Sequence, residues 1–156
     1  MTEAEALTAL RGTDPARAGQ AEAALWAMWC RSGRPDLDRR LGEAVAAMER
    51  RDFDGADRLL TALVQDAPDW AEAWNKRATV RYLTGDYDGS IADCRETLTR
   101  KPHHFGALSG QGLCHMALGQ HGPAATMFRR ALAVHPHLEA VRQNLRFALA
   151  EVVRYN

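Results

Sequence analysis

The sequence predicts an all-α fold in which antiparallel helix pairs stack into a solenoid, and three observations carry that prediction. One period of 34 residues separates Pro68, Pro102 and Pro136, then Phe53, Tyr87 and His121, then Ala44, Ala78 and Gly112, then Ala56, Ser90 and Ala124. Within a period, apolar residues recur at helical spacing, break at a tight turn and resume until the closing proline. No segment reads as a strand. A unit of this size cannot bury its own apolar face, so copies stack side by side and leave a long surface that suits the binding of other chains.

The elements follow in order. Residues 1–36 read as an N-terminal packing segment. In it, residues 1–12 form a short helix or a mobile stretch, and residues 15–32 form a helix that starts at Pro15 and carries Leu25, Trp26 and Trp29. Gly33-Arg34-Pro35-Asp36 turns the chain into the first copy, residues 37–70, where Arg51 stands at a position that the other copies give to glycine, so that its turn is expected to differ. The second copy, residues 71–104, is the clearest. Trp74, Ala78 and Tyr82 share one helical face, Gly85 breaks the pattern, and Tyr87, Ile91, Cys94 and Leu98 continue it until Pro102.

Gly85, and Gly119 in the third copy (residues 105–138), suit the left-handed backbone just past a helix end. Asp86 is placed to cap the next helix, with Asp88 in its first turn favoured by the helix dipole. Small residues at Ala44 and Ala56, Ala78 and Ser90, and Gly112 and Ala124 allow the two helices of each copy to approach closely. Residues 139–156 close the array with a helix that presents Val141, Leu145, Ala148, Leu149 and Val152 on one side.

Across roughly residues 37–138 this pattern resembles the tetratricopeptide repeat family. Trp74, Ala78, Gly85, Tyr87, Ser90, Ile91, Leu98 and Pro102 stand at signature positions in the second copy; Leu108, Gly112, Gly119, Ala124, Phe128, Ala131 and Pro136 do so in the third. Ala44, Phe53, Ala56, Leu60, Leu63 and Pro68 match in the first copy, with Arg40 in place of the large apolar residue. The resemblance implies a right-handed superhelical solenoid whose first helices line a concave groove for a peptide segment of a partner protein. On that pattern the groove carries Leu41, Val45 and Met48, then Asn75, Thr79 and Tyr82, then Ser109, Leu113 and Met116, with Gln143 extending the row. Asn75 would pin a peptide backbone and Tyr82 would pack on a side chain, while Met48 and Met116 would adapt to several shapes. The same residues also read as inter-repeat core, or as a face covered by the N-terminal helix. Relatives that hold acidic chaperone tails clamp the terminal carboxylate with Lys, Arg and Asn. The corresponding positions here carry Leu41, Val45, Lys76, Gly106 and Gly110, which argues against that role.

Composition removes other classes. The chain has 156 residues, 46% apolar and 26% charged, with 18 Arg, two Lys and a formal net charge of zero. Acids exceed bases by four up to residue 70, bases exceed acids by four beyond it, and no polybasic run appears. Nucleic acid and anionic membrane are thus disfavoured as partners. No stretch has the roughly 20 apolar residues of a membrane span, and the start lacks signal-peptide features, so a cytoplasmic location is expected. Cys30, Cys94 and Cys114 read as reduced core thiols.

Catalytic signatures are missing: there is no phosphate loop, no nucleophile elbow and no HExxH pair, so no enzyme and no cofactor are expected. His103, His104, His135 and His137 lack metal-site spacing and read as turn residues. Asp52-Phe53-Asp54-Gly55 and Asp86-Tyr87-Asp88-Gly89 resemble the middle of a calcium loop, but Thr61 and Arg95 stand where its closing acid is needed, leaving helix caps as their role. The predicted function is a non-catalytic adaptor or scaffold for a partner peptide. The alternative is a homodimer or other homo-oligomer assembled through the terminal helices.

Overall fold

The computed structural model describes residues 1–155, and among them nine α-helices and no strand occur. They are α1 (Glu3–Leu10), α2 (Pro15–Trp29), α3 (Pro35–Glu49), α4 (Phe53–Asp66), α5 (Ala71–Leu83), α6 (Tyr87–Arg100), α7 (Phe105–Ala117), α8 (His121–Val134) and α9 (Glu139–Tyr155). The chain divides into two compact units, residues 29–102 and residues 1–28 with 103–155.

In the unit of residues 29–102, α3 packs on α4, α5 on α6, and α4 on α5. Its core contains Leu37, Leu41, Ala44, Ala47, Ala56, Leu60, Leu63, Val64, Ala73 and Val80, with Met48, Phe53, Trp70 and Trp74 packed around it. The alanines at the α3–α4 crossing are fully buried. At the α5–α6 crossing the buried Ser90 hydroxyl donates to the Ala78 carbonyl at 2.7 Å, so the small residue supplies a tie as well as clearance. Asp52 and Asp86 cap α4 and α6, each accepting from the glycine three residues on, Gly55 and Gly89, at 2.9 and 3.0 Å. A β-carbon on either glycine would lie 2.2 Å from the capping carboxylate. The repeated Asp-x-x-Gly is therefore a fitted cap.

The turn at Arg51 does not differ from its counterparts. Arg51 has φ 63°, beside 84° at Gly85 and 73° at Gly119. In all three turns the next residue's N–H reaches five residues back, Asp52 to Ala47, Asp86 to Arg81 and Gln120 to His115, at 2.8–2.9 Å. Those hydrogen bonds impose the left-handed backbone even on arginine, whose guanidinium lies 5.2 Å from the Phe53 ring centroid.

In the other unit, α7 packs on α8 and α8 on α9. Phe128 is fully buried, and its ring lies 2.5 Å from where a Gly112 β-carbon would stand. The glycine is thus dictated by a ring on α8, in addition to the small Ala124 facing the same crossing. The start of the chain is helical: Thr2 and Glu5 form a reciprocal capping box on α1. On α9, Val141 and Ala148 are buried and Leu145, Leu149 and Val152 are half-buried. No helix among the described residues is long and apolar enough to cross a membrane.

Candidate functional site

The first helices of the two pairs in residues 29–102, α3 and α5, approach each other directly, and six of the expected groove residues lie on them. Leu41 is 3% exposed and belongs to the core. Val45 is half-buried, as is Met48, which packs against that core. On α5, Thr79 is exposed and Tyr82 half-buried, with the Tyr82 ring tilted against Tyr87 at 5.7 Å between centroids. The accessible part of this face is therefore Val45, Met48, Thr79 and Tyr82: a largely apolar strip with two hydroxyls, of which that of Thr79 donates to the Asn75 carbonyl at 3.2 Å.

Asn75 sits behind that strip. It is 6% exposed, and its amide donates to Glu72 Oε1 at 3.0 Å. Glu72 is fully buried and also pairs with Lys76 Nζ at 3.1 Å. Sequence reading placed Asn75 against a peptide backbone; the structure shows one of its N–H groups satisfying a buried carboxylate, which would otherwise carry a large desolvation cost. Cys30 lies near this pair. Burial pushes its thiol above the ordinary range, and the negative charge of Glu72 adds to the shift.

A second buried acid, on the neighbouring helix, braces α5. Asp93 on α6 is 2% exposed and receives both Nε and Nη2 of Arg77, at 2.9 and 2.8 Å, together with Arg81 Nη1 at 3.1 Å. Arg77 also reaches Thr61 on α4. Its guanidinium and that of Arg100 lie 5.2 and 4.8 Å from the Trp74 ring. Bidentate geometry makes this the strongest polar clamp in the unit. Nothing in the sequence period pointed to it, because Arg77 and Asp93 are 16 residues apart on different helices.

The remaining expected residues belong to the other unit. Ser109, Leu113 and Met116 are half-buried along one face of α7, with the Ser109 hydroxyl donating to Phe105 O at 2.9 Å. Gln143 is exposed on α9. Sequence reading missed a polar row beside this face, Gln111, His115 and Gln120, in which His115 Nδ1 meets Gln120 Oε1 at 2.7 Å. That pairing takes up the Gln120 side chain, which makes no cap on α8.

Three of the turn histidines have structural partners. His104 is fully buried and caps α7, its Nδ1 accepting from Ala107 N at 3.0 Å. His135 meets Glu22, and His137 meets the Gly12 carbonyl. Among the described residues no group of three His, Cys, Asp or Glu side chains is placed to hold a metal ion.

Residues 41–105 match the family described as Tetratricopeptide repeat. A TPR repeat-containing protein of Rhizobium etli is 30% identical over 126 residues, which are 81% of this chain and 62% of the relative, so the chain spans less than two thirds of that relative's length. Among solved structures, the Sgt2 TPR domain from Aspergillus fumigatus superposes with a TM-score of 0.74 at 20% identity, covering 79% of this chain and 83% of that domain. The first TPR of Spaghetti (RPAP3), bound to the HSP90 peptide SRMEEVD, gives 0.71 at 17% identity, covering 72% and 89%. At these identities the structural matches establish the fold alone.

Proposed function

Because residues 41–105 belong to the tetratricopeptide repeat family, we propose that this protein-interaction module holds a short extended segment of a partner protein on the face shared by α3 and α5, without catalysing a reaction. The observation that carries the reading is the contrast between the two layers of that face. Val45, Met48, Thr79 and Tyr82 stay accessible, while behind them the Arg77–Asp93 clamp ties α5 to α6 and the Glu72–Asn75–Lys76 cluster satisfies a buried carboxylate within α5. A surface braced in this way meets its ligand with its ordering cost already met in folding, so only the peptide must be ordered on binding.

Chemistry narrows the ligand. The peptide on the RPAP3 domain ends in two glutamates, a valine and an aspartate. Here Lys76 is paired with a buried glutamate, and Val45, Met48 and Tyr82 offer apolar contact. A segment with two or three apolar side chains fits this face better than an acidic tail. Within the other unit, taken by itself, the same family pattern assigns Ser109, Leu113 and Met116 on α7 and Gln143 on α9 to ligand contact.

The test is a selection of displayed random peptides against the intact protein, followed by affinity measurement on a Thr79→Arg, Tyr82→Ala variant. The expected loss is about tenfold or more, the scale of losing roughly 1.4 kcal/mol of contact. Equal affinity for a folded variant would remove the α3–α5 face from the proposal.

A further inference from the structure

The third helix pair carries a seat that repetition does not explain. At Gly106 a β-carbon would stand 2.6 Å from Trp26 Cη2, so any larger residue would have to push the indole aside. Trp26 also meets His104 and Phe105 edge-on, at 5.4 and 5.5 Å between centroids. One helical turn before Trp26, Glu22 Oε2 meets Nε2 of His135 at 3.0 Å, and His135 is itself edge-on to Phe105 at 5.1 Å. His137 Nε2 meets the Gly12 carbonyl at 2.7 Å. Thirty-four residues before and after Gly106 the chain has Glu72 and Ala140. The scaffold therefore has no general need for glycine at this position; the incoming indole has.

Few of the fully buried side chains that α2 contributes to this unit are large. Along α2 within this unit, Ala18, Ala21 and Leu25 are the fully buried apolar side chains, two of them alanines. Trp26 is half-buried, and the Glu22 side chain remains 37% exposed in its contact with His135. Gly106 also lies one turn ahead of Ser109 and two ahead of Leu113 on the same face of α7. The tryptophan thus rests at the head of a row that was read as ligand-binding.

We propose that α2 is a displaceable internal ligand of α7, and that the seat formed by His104, Phe105, Gly106 and His135 takes in trans an amphipathic helix bearing a carboxylate one turn before a tryptophan. In the free protein α2 fills the seat; a partner helix of this chemistry competes with it and releases the N-terminal segment. The α3–α5 reading is independent of this inference, since no residue of that face takes part.

The probe is a fluorescein-labelled synthetic peptide of residues 13–29, tested by anisotropy on the full chain. The Glu22→Gln, Trp26→Ala variant empties the seat and is expected to bind the probe at least tenfold more tightly than the unchanged chain. Adding Gly106→Leu blocks the seat and is expected to abolish that gain, and an unlabelled probe lacking the tryptophan should fail to compete. A folded double variant that binds no better than the unchanged chain would reduce the contact to ordinary packing and overturn the proposal. Should the double variant lose helicity, Glu22→Gln alone is compared by hydrogen exchange. Selective acceleration of the amides of residues 18–28, tenfold or more, supports the proposal, and a uniform or absent change overturns it.

Discussion

At Gly112 two effects oppose each other and their sizes decide the outcome. Alanine gains about 0.5–1 kcal/mol over glycine within a helix, but its β-carbon would lie 2.5 Å from a Phe128 ring that is fully buried and has nowhere to retreat. Overpacking costs about 1–3 kcal/mol, so Gly112→Ala is expected to lower the melting temperature; a rise would mean that the ring yields. Gly89 gives the complementary case. Its alanine variant dislodges the Asp86 cap, worth about 1 kcal/mol, while gaining helix propensity, so the net change should be near zero. In an Asp86→Ala background the same change should stabilise, and a double-mutant cycle by denaturant melts measures that difference. Cys30 offers a chemical readout. Burial and the charge of Glu72 hold its thiol protonated beyond the ordinary range, so at pH 8 it should alkylate more slowly than free cysteine, and Glu72→Gln should quicken it, as followed by mass spectrometry. Which positions are glycine was legible in the sequence; why Gly112 and Gly106 are glycine was not, because the rings that require them arrive from other helices.

The helices themselves were largely legible, since their signals are local. Prolines, capping aspartates and turn glycines sit within a few residues of the boundaries they set. Arg51 was misjudged by the same local logic: its side chain argued for a different turn, and the hydrogen bond from Asp52 to Ala47 overrode it. Helix faces were less legible. Leu41 was given to the ligand and lies in the core, and Asn75 was given to a peptide backbone and serves Glu72. Family pattern names the helix that lines a groove, but a rotation of a few tens of degrees decides which side chains emerge. Besides the buried Ala71, Ala73, Ala78 and Val80, α5 is tied to α6 by the Arg77–Asp93 clamp. Asp93→Ala leaves Arg77, 11% exposed, with its carboxylate gone, and is expected to cost about 3–5 kcal/mol. Arg77→Met should cost less, because Arg81 still neutralises Asp93. Chemical denaturation of both variants checks the order, and equal losses would show that Arg81 does not compensate.

For the whole molecule, the competing account is self-assembly through the terminal helices; with Trp29 buried and Trp26 half-buried on α2, it falls to the C-terminal helix. Its support is the exposure of Phe147, Val153 and Tyr155, at 51%, 78% and 71%. Two considerations weigh against it. Taken together these side chains expose on the order of 400 Å², about half of the roughly 800 Å² that each partner buries in a stable interface. They also do not share a face: at about 100° per residue, Tyr155 lies some 80° from Phe147, while Val153 lies about 120° away on the opposite side. One flat partner surface cannot cover all three. Nor does charge force association or prevent it, because the net charge is zero at pH 7. The chain is therefore expected to sediment as a 17.3 kDa monomer at about 10 μM, and to remain so when Phe147 is replaced by serine. A discrete dimer at that concentration, lost in Phe147→Ser, would place α9 at the interface and make self-assembly the better account; a monomer leaves the α3–α5 face and the α2 seat as the two proposed contact surfaces.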